Sequence, residues 1–415
     1  MPSDWEDVFL GEVAQDVTVG HVGPMAAEYV AEGVPFLRSL NVRPHAIDLT
    51  DVKYVRREFH EKLRKSALSP GDVVTVRTGK PGATAVVPAS LSEANCSDVV
   101  ITRPGHRLDP RWLSYYINGV ASGFVASRLV GAVQQHFNVG AAREIALTMP
   151  PLSEQRDIGS TLGALDDKIE SNISAIGQLE ALGACLLESA VEVNSHGIPE
   201  YDSERRIGAI LAVLETGSRP KGGVVDSLDG VVSLGAENVQ SAGISTSSKF
   251  KRVSAEFAES MRRGRLRDGD VLVYKDGGTP GNFTPHVSAF GQGFPVDDAT
   301  INEHVYRVRS GDGISQALLY WMLRSPWMDH EMRKRGTGVA IPGLNSSNFR
   351  DLPLPVLVDR DVGLLNDTLG PMLQSMLHLG AECAQLGALR DALLPELLSG
   401  RIRVSAPTGG EEVVA

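Results

Sequence analysis

Apolar side chains between residues 158 and 190 recur at Ile158, Leu162, Leu165, Ile169, Ile176, Leu179, Leu186 and Ala190, with Asn172 and Gly183 filling two places in the same series. The steps alternate four and three. A second series with the same steps stands 207 residues later, at Leu365, Leu369, Met372, Met376, Leu379, Cys383, Leu386, Arg390, Leu393 and Leu397. This alternation is the 3.5-residue period of a coiled-coil seam. It predicts two long helices in matched register, each preceded by a globular stretch of similar size. At 1.5 Å per residue a helix of about 40 residues spans about 60 Å. Neither helix would be stable alone in water, so the two are expected to pair. With a domain between them, antiparallel pairing is simplest and would set the domains at opposite ends of a rod. Ser153 is the expected N-cap of the first helix. Pro371 should kink the second or mark a late start. Asn172 reads either as a tolerated imperfection or as a polar seam residue that sets register.

The repetition extends into the globular stretches. Val34-Pro-Phe-Leu-Arg-Ser-Leu-Asn-Val42 resembles Val231-Val-Ser-Leu-Gly-Ala-Glu-Asn-Val239, each a strand running into a polar turn. Leu68-Ser-Pro-Gly-Asp-Val-Val-Thr-Val-Arg77 matches Leu266-Arg-Asp-Gly-Asp-Val-Leu-Val-Tyr-Lys275, and a glycine loop follows each. Strands at Val99 and His304 and aromatic helices at Trp112 and Leu318 come next. Each copy closes on a proline-bearing segment, residues 136–150 aligning without a gap to 341–355. Mixed strand and helix content predicts an α+β domain used twice.

Charge sharpens this picture. The formal net charge is −11, which by itself argues against a nucleic-acid partner. Its distribution reverses that reading. The nets are −1 for residues 1–150, −7 for 151–200, +1 for 201–357 and −4 for 358–415. The helices and tail carry the acidity, and two near-neutral domains can each present a basic face. No run of about 18 apolar residues predicts a membrane span. The polar N-terminus does not read as a signal peptide. The three cysteines lack metal-ligand spacing. A reduced, cytoplasmic setting is expected.

Common catalytic signatures are missing. There is no Walker loop, no HExxH, no GxSxG and no Asn/Asp-Pro-Pro-aromatic motif. The loops at Gly79 and Gly277 read as phosphate cradles or as plain turns; neither shows the GxGxxG pattern opening a helix.

The helix motifs carry a family likeness. Met149-Pro-Pro-Leu-Ser-Glu-Gln-Arg-Asp-Ile158, with Leu162-Gly-Ala-Leu-Asp-Asp-Lys-Ile-Glu170 after it, resembles the first conserved helix of type I restriction-modification specificity subunits. Leu389-Arg-Asp-Ala-Leu-Leu-Pro-Glu-Leu-Leu-Ser-Gly-Arg-Ile402 resembles the end of the second. Glu93-Ala-Asn-Cys-Ser-Asp98 and the segment at Asn138 are similar to the family's recognition domains. The resemblance implies two target-recognition domains (1–151 and 196–357) and two spacer helices (152–195 and 358–403) forming an antiparallel coiled coil; the tail (404–415) reads as disordered from its composition. It implies a non-catalytic reader of double-stranded DNA with one half-site per domain. Two methyltransferase subunits would dock on the helices and bring S-adenosylmethionine, with none bound by this chain, and restriction subunits would complete a nuclease.

Candidate contact residues fall in matched loops: Arg38 and Asn41 against Glu237 and Asn238; Arg77, Thr78 and Lys80 against Lys275 and Thr279; and Gln134, Gln135 and His136 in a third loop. Asn and Gln suit adenine, Arg suits guanine, and cations suit phosphates. Two other readings stay open. One is a scaffold that tethers partners without reading sequence. The other is an enzyme, such as a fused methyltransferase or nuclease.

Overall fold

The computed structural model describes residues 2–79, 81–128, 137–221, 229–240, 242–243, 250–279, 281–311, 313–338 and 342–404. Lys80, Gln134, Gln135, His136 and the tail from 405 onward lie outside the described residues. The chain divides into two compact units, residues 1–167 with 387–415, and residues 168–386.

In the first unit, β-branched runs build a four-stranded antiparallel sheet in the order Asp16–Val19, Val99–Arg103, Val73–Val76, Thr84–Val86. A second sheet runs Tyr29–Val30, Lys53–Val55, Val34–Leu37, Ala94–Cys96, Ala67–Leu68, with its third and fourth strands parallel. Glu6–Phe9 pairs with Ala146–Met149, the strand that leads into the first long helix. The second unit has the same order in Leu211–Thr216, Val305–Ser310, Asp270–Tyr274 and His286–Phe290. Among the described residues its second sheet has three strands, Arg252–Val253, Val231–Leu234 and Ala299–Ile301, again with one parallel pair. Tyr201–Arg206 pairs with Pro353–Pro355. Each unit packs an amphipathic helix on its sheet. Pro110–Asn118 is capped by Asp109 and buries Trp112; Gln316–Arg324 is capped by Ser315 and buries Trp321.

The closing segments correspond with an offset of 207, not 205. Asn138 caps the helix Val139–Arg143 and Asn345 caps Ser346–Arg350, each accepting from a backbone N–H three residues on, at 2.8 Å. Leu10 N–H donates to the Ile145 carbonyl, and Ile207 N–H to that of Leu352. A Cβ on Gly11 would fall 2.8 Å from Arg143 Cβ, and one on Gly208 2.9 Å from Arg350 Cβ. The paired prolines suggest an offset of 205, but they do not occupy equivalent places. The triplets Arg143-Glu-Ile and Arg350-Asp-Leu carry the true register.

The long helices are Leu152–Ala190 and Asp359–Leu398. They pack together, and the boundary between units falls inside both. Ser153 is not an N-cap: it is the second helical residue, because the helix already starts at Leu152 and Gln155 N–H bonds to the Pro151 carbonyl. Pro371 neither starts nor ends the second helix, which opens twelve residues earlier at Asp359. Proline forfeits one helical hydrogen bond, a local cost of about 3 kcal/mol that burial of Leu369, Met372 and Leu373 around it opposes.

The seam positions turn inward along both helices. Ile158, Leu162, Ile176, Leu365, Leu369 and Met376 are buried; Leu165, Ile169, Leu179, Leu379, Leu386 and Leu393 are half-buried. In the first unit, Ile158 and Leu162 share a core with Leu397, Leu398 and Trp112, and Arg390 Nη1 donates to Asp166 at 2.6 Å. In the second, Asn172 Nδ2 donates to Glu382 at 2.8 Å, and Val358 N–H to the Ala190 carbonyl at 2.9 Å. Partner numbers fall as residue numbers rise, so the helices run antiparallel within each unit. Gly183 is explained by Trp321: a Cβ there would sit 2.2 Å from the indole, whose Nε1 donates to the Glu180 carbonyl at 3.1 Å.

One strained position has a measurable consequence. His45 takes φ 67° at the tip of the hairpin joining Val42–Arg43 to Ala46–Ile47. Its ring stacks on Tyr115 at 4.3 Å, and Asn118 Nδ2 lies 3.3 Å from Nδ1. Burial lowers its pKa from 6.5 to about 4, against the pull of Asp166. The unfolded chain therefore takes up this proton first as pH falls. The contribution is full above 6.5 and is lost on the way down to about 4. Between pH 7 and pH 5 the loss is about 2 kcal/mol. Unfolding free energies from urea titrations of the parent and of His45→Asn, which tolerates the left-handed backbone, should diverge by that amount on acidification. Parallel pH profiles would contradict it.

Candidate nucleic-acid interface

The same short device appears at the end of one strand in each unit. After Val34–Leu37 the chain turns through a 3-10 helix, Ser39–Asn41; after Val231–Leu234 it turns through Ala236–Asn238. Asn41 Oδ1 accepts the Arg38 N–H at 3.0 Å, and Asn238 Oδ1 accepts the Gly235 N–H at 2.9 Å. Both asparagines are buried. Their carbonyl oxygens are spent on closing these turns, and Asn41 Nδ2 also donates to the Asp48 carbonyl at 2.9 Å. By this register Glu237 matches Leu40, which is 75% exposed, and Arg38 matches Gly235. The Arg38 guanidinium donates to the carboxylate of Asp51 at 2.9 Å and to its carbonyl.

Arg77 and Lys275 also hold equivalent places. Arg77 N–H bonds to the Asp98 carbonyl and Lys275 N–H to that of His304; their carbonyls accept from Phe137 and Leu344. Their side chains differ. Arg77 Nε is buried with no partner among the described residues. Lys275 Nζ pairs with Asp276 at 2.6 Å and lies over the Tyr306 ring at 5.6 Å. Thr78 is half-buried beside Gly79, whose φ is 90°. Thr279 is exposed in the small hairpin of Gly278–Thr279 with Asn282–Phe283.

In the second unit the 3-10 turn borders an open cleft of about 510 Å³ lined by Glu237, Gln240, Tyr274, His286 and Arg324 with two small apolar residues. Burial pushes the Glu237 carboxyl up, but its bond with Lys251 at 2.7 Å outweighs this and holds the group below its usual value. Burial, aided by Arg333 and Arg324, lowers the pKa of His286, which stacks on Tyr274 at 6.1 Å. Arg324 ion-pairs with Glu180 and donates to the Val287 carbonyl at 3.0 Å. The cleft thus combines a fixed anion, a neutral imidazole, a phenol and a guanidinium. It brings together Glu237 from the sequence-based set with Tyr274, His286 and Arg324, which that set lacked. No single-sequence signal marks these three, because they converge from a strand end, a facing strand and a helix terminus. Among the described residues no group of three His, Cys, Asp or Glu side chains is placed to hold a metal, and no helix is long and apolar enough to cross a membrane.

No family model matches the chain. Its fold is similar to that of the type I restriction-modification system S subunit from M. genitalium, with a TM-score of 0.56 over 95% of this chain and 96% of that one, at 14% identity. The HsdS subunit from Thermoanaerobacter tengcongensis is 16% identical over 97% of this chain and 98% of its own, at a TM-score of 0.34. A chain from a structure of complex assembly and conformational transition of the type I R-M system is 16% identical over 97% and 99%, at 0.37. Those two superpose too loosely to add weight. The first is enough for the architecture: the chain has the fold of a type I restriction-modification S subunit.

Proposed function

We propose that this chain is the sequence-specific DNA-binding subunit of a type I restriction-modification complex. Each unit reads one half of a split target, and the paired helices set the spacing and dock two methyltransferase subunits. Those partners carry the chemistry and the S-adenosylmethionine; this chain is not catalytic, and restriction subunits add cleavage. The observation that carries the reading is the repetition of one strand order in both units, in a fold like that of an S subunit along nearly the whole chain.

Site chemistry supports two different half-sites. At equivalent turns the first unit presents Arg38 and Leu40 and the second Glu237. A carboxylate accepts from the amino group of cytosine, whereas Arg suits guanine. Duplexes selected from a random pool by the chain together with its methyltransferase subunits should show two short specified segments separated by a fixed unspecified gap. A single contiguous motif, or no enrichment, would contradict the proposal.

A further inference from the structure

A basic turn recurs in both units with no carboxylate to neutralise it among the described residues. Residues 53–72 and 251–270 align without a gap, matching Phe59 to Phe257, Arg64 to Arg262, Lys65 to Arg263 and Asp72 to Asp270. The segments fold similarly, with one difference: Arg64–Ser66 forms a 3-10 helix where Arg262 and Arg263 form a bend. A short helix, Arg57–Lys62 or Ala255–Ser260, is followed by the dibasic turn and then by a stretch that pairs with the inner strand of the second sheet. Ala67 pairs with Asn95 in one unit, and Arg265 bridges Thr300 in the other.

Strand direction places these turns. Ala94–Cys96 runs parallel to Val34–Leu37, and Ala67–Leu68 runs against both. The residues just before Ala67 therefore lie at the end of the sheet where Val34–Leu37 enters its 3-10 turn. The second unit repeats this: Ile301 N–H bonds to the Gly264 carbonyl, next to the end where Val231–Leu234 enters Ala236–Asn238. In each unit the dibasic turn and the candidate reading turn share one sheet end.

All four cations are exposed. Among the described residues none has a carboxylate within 4 Å. Close neighbours are neutralised: Arg57 pairs with Glu93 at 2.8 Å and Arg265 with Asp298 at 3.0 Å. In both copies two adjacent exposed cations, with no carboxylate partner among the described residues, stand at the same place. We propose that Arg64 with Lys65, and Arg262 with Arg263, are matched phosphodiester clamps that grip the DNA backbone beside each reading turn. This rests on the DNA-reading function above and adds to it the contacts that fix each unit's position on the duplex, which carry affinity but no sequence information.

The test is duplex binding by the full chain across a salt series, with both a selected target and an unrelated sequence. Replacing Arg64 and Lys65 together by Ser should weaken both duplexes alike. The slope of log affinity against log salt should fall by about 1.8, the value for two lost phosphate contacts. Replacing Arg262 and Arg263 by Ser should do the same independently. The exchange Arg64→Lys with Lys65→Arg should keep the parent slope, and unfolding midpoints should not move. Cations that serve only the end of a short helix would shift stability and leave the slope alone, overturning the proposal. So would a loss confined to one base position. A parent chain that binds no duplex even at low salt would remove the DNA-reading function and the clamps together.

Discussion

Arg307→Met should destabilise the second unit by about 3–5 kcal/mol, the cost of removing one partner from a buried charge network. Arg307 is 8% exposed in the middle of the four-stranded sheet. Its Nε donates to Asp270, which has no exposed side-chain surface, at 2.5 Å, and its Nη1 to Glu215 at 2.8 Å. Asp270 also accepts from Arg309 at 2.7 Å and from the Arg267 N–H at 2.6 Å. Among the described residues truncation leaves Glu215 with the Gly264 N–H at 3.0 Å as its one hydrogen-bond partner. The first unit shows the other solution. By strand register Ile101 stands where Arg307 does, and burial raises the pKa of Asp72, the match of Asp270. If unpaired charge is the cause, Arg307→Met with Glu215→Met should recover part of the loss, since well-packed apolar replacements of buried pairs are often near neutral. Urea denaturation reads both. A single-variant loss under 1 kcal/mol would mean that the network behaves as a surface pair.

The matched helices were legible because a 3.5-residue period reports directly which side of a helix is buried. All ten positions of each series are buried or half-buried. What covers each position was not legible. Ile176 and Leu369 belong to the core of the second unit, and Ile158 and Leu162 to that of the first, so the seam is shared between the partner helix and the sheets. Gly183 looked like an interruption until Trp321, 138 residues away in sequence, was found packed on it. By residue type Asn41 and Asn238 suit adenine. Their recurrence has a nearer cause, the closing of a 3-10 turn, and a buried turn residue repeats as faithfully as a functional one. The dibasic turns carry a clear signal, a gap-free repeat of 20 residues, but one without the glycines that mark a loop against a phosphate. The cleft had none, because its residues meet only through sheet register.

The largest functional effect should come from exchanging the globular part of one unit. The first unit closes on itself through its termini: Arg403 pairs with Asp4 at 2.7 Å and Glu154 at 2.6 Å, and Trp5 Nε1 donates to Glu154 at 3.2 Å. Glu6–Phe9 pairs with Ala146–Met149, so a junction after Pro150 cuts no strand pairing. Contacts to the helices at Trp112, Tyr115 and Arg111 must be retained or matched in the donor: Tyr115 donates to Asp166, and Arg111 pairs with Asp167 at 2.9 Å. With those kept, residues 1–150 can be replaced by the first domain of an S subunit of known target while both helices and the second unit stay unchanged. Selecting duplexes with the chimera and the parent then measures the central claim directly. One half of the target should become the donor's, while the other half and the gap between them stay as in the parent. A chimera that keeps both parental halves, or changes both, would contradict the assignment of one half-site to each unit.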